Sequence, residues 1–86
     1  MRVSVRKNDP GYDPMAVNGG FKILLDGKDV TNMCHTADEE EGRVYGYSKN
    51  SEGYFYVDPL TDRPAEHVLY GEVTIIKMVN GARAYA

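Results

Sequence analysis

The 86-residue sequence has one cysteine, no apolar run approaching the ~20 residues of a membrane span, and no helix-period stretch of useful length. Each absence excludes something. A lone thiol, Cys34, forbids an intrachain disulfide. Secreted domains this small usually carry two or more bridges, so a reducing compartment is expected. The opening Met1-Arg2-Val3-Ser4-Val5-Arg6-Lys7 turns polar at once with no apolar segment behind it, unlike a signal peptide. An excess of positive charge is also missing. The net charge of −3 and a pI near 5.2 argue against general phosphate-backbone binding as the main activity. Gly19-Gly20 precedes a strand-like run instead of a helix, so no phosphate-cradling loop is formed.

What is present is repeated period-two alternation bounded by Gly, Pro, Asn and Asp, the pattern of an antiparallel β protein. Chains of this size bury only roughly 60–65% of their unfolded surface, so one domain with a marginal core is expected. Val3 and Val5 alternate with polar residues in a first strand near a sheet edge. Two prolines and a Pro-Gly pair then predict a long loop over 8–20, of a length that is often functional or mobile. Phe21–Leu25 predicts a second strand ending in Asp26-Gly27, a strong hairpin signal because both central residues of a type I′ turn need positive φ. That turn sets Ile23 opposite Val30 and Leu25 opposite Lys28. Thr36-Ala37-Asp38-Glu39 matches a capping box and predicts at most one helical turn, or a tight acidic loop, near 37–41. His67 to Lys77 is the longest strand-like run, with Gly71 as a natural bulge where it bends between two sheet regions. Asn80-Gly81 signals a turn before a tail over 80–86. The expected core is Val3, Val5, Phe21, Ile23, Leu25, Val30, Val44, Phe55, Val57, Val73 and Ile75.

The chemistry-bearing residues are sparse. Cys34 and His35, if adjacent on a strand, point to opposite faces and cannot form a nucleophile–base dyad. With His67 the only other histidine, no zinc-ligand spacing occurs. Asp38-Glu39-Glu40-Glu41 fans around a turn and lacks the loop spacing of a calcium hand, so it reads as a solvated acidic turn or a patch that docks a basic partner. Asp9, Asp13, Asp58 and Asp62 sit beside Pro and Gly, where turn chemistry accounts for them without acid–base catalysis. No convergent acid, base and nucleophile can be assembled, so neither catalytic residue, metal nor cofactor is expected.

The densest feature is aromatic. Tyr45, Tyr47, Tyr54, Phe55 and Tyr56 flank a Ser-Lys-Asn-Ser-Glu-Gly turn. A four-residue loop Asn50-Ser51-Glu52-Gly53, with Gly53 left-handed, puts all four tyrosines on one face. An odd loop divides them between faces. On the even reading, Tyr45, Tyr47, Tyr54 and Tyr56, helped by Asp38, Glu40 and Glu41, form the partner-binding surface. Sheet packing alone also explains part of the pattern, and base stacking on the same rings needs Arg2, Arg6, Arg43 and Lys49 to gather beside them.

The layout of these turns resembles small uncharacterised proteins encoded in tailed bacteriophages and bacterial prophages. The residues carrying the likeness are Asp9-Pro10-Gly11-Tyr12, Leu25-Asp26-Gly27 with Val30, Ala37 through Gly42, Asp58-Pro59 with Thr61, and Gly71-Glu72-Val73 with Ile75. The resemblance implies expression in a bacterial host cytoplasm and assigns no catalytic residue. The combined expectation is a single all-β domain, a sandwich or partly open barrel of about five or six strands. Its leading function is a non-enzymatic module binding a host or phage protein, with self-association through the same sheet also open. A nucleic-acid-binding β-barrel and a minor virion component are the alternatives, and no membrane association is expected.

Overall fold

The computed structural model describes residues 1–78. The Asn80-Gly81 turn and the tail over 80–86 lie outside the described residues. Among these residues nine strands, six of them three residues or longer, form three antiparallel sheets, and no barrel closes. The all-β class follows from the alternation in the sequence. The strands are β1 (Arg2–Ser4), β2 (Phe21–Leu25), β3 (Lys28–Asp29), β4 (Thr36–Asp38), β5 (Arg43–Tyr47), β6 (Val57–Asp58), β7 (Arg63–Pro64), β8 (Glu66–Tyr70) and β9 (Val73–Lys77). The larger sheet has the order β1-β4-β5-β8, the second β3-β2-β9, and β6-β7 forms a separate two-stranded ribbon.

The Asp26-Gly27 turn forms as its residue types require, with φ of 51° and 83°. Leu25 stands opposite Lys28, and the Val30 N–H donates to the Ile23 carbonyl at 2.9 Å. The long run after residue 66 breaks at Gly71, so that β8 completes one sheet and β9 the other.

Side chains from both large sheets meet in one core: Val3, Ala37 and Val44 from the first, Phe21, Ile23 and Val73 from the second, with Val30 between. The register sets Val3, Ala37 and Val44 in one row across three strands. Each large aliphatic or aromatic side chain so buried contributes roughly 1.5–3 kcal/mol. Leu25 and Ile75 pack against this cluster from its margin. Val5, Phe55 and Val57, expected inside, are exposed. β1 ends at Ser4, so alternation no longer governs Val5, while Phe55 and Val57 leave the domain on the ribbon.

Two local expectations are refined. The capping box does not form, because Thr36–Asp38 is the strand β4, and the acidic residues after it make the tight loop instead of a helical turn. The Thr36 hydroxyl does not cap Glu39 but bonds Ser4 Oγ at 2.7 Å inside the sheet. Asp38 makes the turn instead, accepting from the N–H groups of Glu40 and Glu41 at 2.9 and 3.0 Å. The loop over 8–20 contains the short helix α1 (Pro14–Val17), opened by Asp13, whose carboxylate accepts from the Met15 N–H at 2.9 Å, with Pro14 in the first turn. A further 3-10 turn spans Thr31–Met33.

Candidate functional site

The expected four-tyrosine face does not form. Asn50 Oδ1 accepts from both Glu52 N–H and Tyr54 N–H, at 2.9 and 3.1 Å, and the Asn50 N–H donates to the Tyr54 carbonyl at 2.8 Å. These bonds draw Tyr54 into the turn. The loop therefore has an odd number of residues, 50–54, and Lys49 stands opposite Phe55. Gly53 does take positive φ, 87°, as its position requires. The register puts Phe55 on the side of Lys49 and Tyr47, and turns Tyr54 and Tyr56 the other way. β5 moreover pairs with β8, Tyr47 opposite Glu66, and not with the chain that follows the turn.

Each tyrosine consequently has its own surroundings. Tyr45 is half-buried, its ring 5.3 Å below the Arg2 guanidinium and its hydroxyl 3.4 Å from Glu41. Tyr47 packs on the His35 imidazole at 4.7 Å and meets Phe55 edge-on at 6.3 Å. Tyr54 and Tyr56 stand on a projecting arm, residues 49–64, in which no residue is buried. Tyr54 is 68% exposed, Phe55 64% and Leu60 93%. A two-stranded ribbon with no buried face of its own is at best marginally stable in water.

The acidic turn divides in the same way. Asp38 is buried and bound to Arg2 at 3.3 Å, so it is a structural group and not a docking one. Arg2 also forks onto Asp9, with Nε 2.9 Å from one carboxylate oxygen and Nη2 2.8 Å from the other. The guanidinium holds the Asp9 carboxyl below the usual range. For Asp38 the Glu41 N–H is the main cause of the same lowering, with Arg2 assisting. Glu39, not among the expected site residues, ties the two sheets together by accepting from the Ile75 N–H at 2.8 Å. Of the expected acids, Glu40 and Glu41 remain at the surface. The four cations do not gather on one aromatic face either: Arg2 lies over Tyr45, Arg43 over Tyr70 and Lys49 over Phe55, each on a separate ring. Arg2 is also held by acids, and Arg6 reaches Glu66 at 3.2 Å.

A cavity of about 460 Å³ opens where β5 leaves its sheet. The segment 32–35 forms one wall, Tyr47, Lys49 and Phe55 another, and His67 and Val5 the rest. It gathers the only cysteine and both histidines of the chain. Because the β2-β3 hairpin ends at Asp29, Cys34 and His35 lie outside any strand, and both border this space despite being sequence neighbours. Gly46 lets β5 approach the segment of one wall closely: a Cβ there would run into the Met33 carbonyl oxygen. Gly46 is thus a close-approach site.

His35 is buried and fully engaged, Nδ1 with Thr36 Oγ1 at 2.8 Å and Nε2 with Glu66 at 2.7 Å. The chain Ser4–Thr36–His35–Glu66–Arg6 is thus continuous, and among the described residues no buried side-chain polar atom lacks a partner. Burial pushes the Cys34 thiol up to about 11, which keeps it a neutral, unreactive group near pH 7. Among the described residues no group of His, Cys, Asp and Glu converges as metal ligands. No helix among the described residues is long and apolar enough to cross a membrane. No family model matches the chain, and neither a curated protein nor a solved structure matches it.

Proposed function

We propose that the protein is a non-enzymatic interaction module that docks a partner protein through the projecting arm. One observation carries this reading: residues 49–64 expose Tyr54, Phe55, Tyr56, Val57 and Leu60 together, with no core beneath them. Isolated surface hydrophobics are ordinary, whereas a contiguous apolar projection marks an interaction site. Tyrosine is among the residues that anchor interfaces. A whole aromatic side chain offers about 200 Å², so the exposed side chains of the arm and β8 amount to on the order of 800 Å², one partner's share of a standard interface. The resemblance to phage and prophage proteins makes a phage or host protein of the bacterial cytoplasm the natural partner.

Tyr54→Ser, Tyr56→Ser and Leu60→Ser together test this. The triple variant is expected to melt within a few degrees of the parent and to weaken partner capture by at least about thirtyfold, the scale of a lost hot spot. Proteins retained equally by both forms would remove the arm from consideration. Self-association is a second reading, favoured by β8, which ends its sheet with Val68, Leu69 and Tyr70 exposed and no strand beside its outer edge among the described residues. Sedimentation from micromolar to millimolar concentration tests it, and a monomer throughout argues against it.

A further inference from the structure

We propose that the cavity beside β5 is a binding site for a small planar aromatic carboxylate. Its volume, about 460 Å³, falls within the range of roughly 300–1,000 Å³ typical of small-molecule sites. At roughly 30 Å³ per water it holds the equivalent of about fifteen waters, enough for a bicyclic ring system. The walls supply the ring's surroundings. Tyr47 and Phe55 meet at 78°, leaving an aromatic corner, and the Met33 thioether is an adaptable apolar neighbour.

The sign of the ligand follows from the charges on the wall. The chain carries more acids than bases, 13 against 10, yet no Asp or Glu lines this cavity. Glu66, which approaches from behind His35, is hydrogen-bonded to that imidazole and paired with Arg6. Lys49 is the one lysine or arginine on the wall, and among the described residues its ammonium has no carboxylate partner, lying instead 5.2 Å from the Phe55 ring centre. His67 adds a second polar contact. Ser48 Oγ fixes its Nδ1 at 3.1 Å, while Nε2 has no hydrogen-bond partner among the described residues and is not sealed from solvent. A ring seated in the aromatic corner leaves its carboxylate to Lys49 and His67, a charge-assisted arrangement in a partly dry site.

The probes are 2-naphthoate and its neutral analogue 2-naphthalenemethanol, titrated into isotope-labelled protein and followed by NMR. Saturable shifts centred on Tyr47, Phe55 and His67 are expected for the acid, with the alcohol binding at least about tenfold more weakly. Lys49→Met should reduce the acid to the alcohol's affinity and leave the alcohol unchanged, while Phe55→Ala weakens both. Equal binding of acid and alcohol, an unaffected Lys49→Met variant, or shifts that never saturate would each overturn the assignment. No partner protein enters the measurement, so its failure and that of the arm are separable.

Discussion

Replacing Arg2 by Met tests how far the fold depends on one buried fork. Arg2 is the only cation bonded to Asp9 and Asp38 among the described residues, and side-chain exposures of 27%, 14% and 10% show that water screens these charges poorly. The substitution keeps the aliphatic stem and removes every donor. Breaking a buried pair in this way typically costs about 3–5 kcal/mol; discounted for the quarter of Arg2 that remains wet, about 2–4 kcal/mol is expected. A chain of this length has a total stability of roughly 4–13 kcal/mol, so the loss is a substantial fraction. The corresponding drop in Tm is roughly 10–30 °C.

The pH dependence separates an electrostatic loss from a packing loss. Both carboxyls are held below their ordinary values, so the folded state binds fewer protons than the unfolded chain at acidic pH. Their contribution is complete above about pH 5 and fades as the pH falls through the lowered values. Urea melts of parent and variant should therefore differ most near neutrality and converge toward pH 2. A pH-independent gap, or one below about 1 kcal/mol at pH 7, would show that the fork is not what holds β1 against β4. A cycle with Asp9→Asn isolates the pair.

Two other predictions follow from single contacts. Gly46→Ala drives a methyl into the Met33 carbonyl and should cost about 1–3 kcal/mol, with amide shifts concentrated in Thr31–Met33 and the cavity wall; an unperturbed 3-10 turn would contradict the steric account. Cys34 should alkylate far more slowly in the folded protein than in urea at pH 8, its rate still climbing beyond pH 9 because burial raises the thiol to about 11. The same shift has a stability consequence: the unfolded chain loses this proton first, so stability should decline between about pH 9 and 11.

The sequence was most legible where a local rule and the global fold agree. Asp26-Gly27 determines a hairpin through backbone sterics alone, and the strands around Ile23, Val44 and Val73 declare a buried face by alternation. The bend at Gly71 was legible for the same reason, since a strand-like run with one glycine inside it must pass between sheets or bulge. The short helix at Pro14 carried its own signal, Asp-Pro at the cap, but four residues have no apolar period to declare them. Thr36-x-x-Glu39 shows the opposite failure. The capping-box residue types are present, yet pairing β4 between β1 and β5 satisfies more backbone groups than one helical turn would.

What the residues alone determined, then, is the β class, the turns whose φ values admit few residue types, and most of the apolar core. Tertiary structure decided which tyrosines share a side, because β5 pairs with β8 and not with the chain after the turn, while the Asn50 side chain, accepting two N–H groups, gave the loop an odd length. It also decided that Cys34, His35, Lys49 and His67, distant or mismatched in sequence, border one cavity. Convergence of that kind comes from how sheets end and cross, and side-chain alternation within one strand carries no information about it.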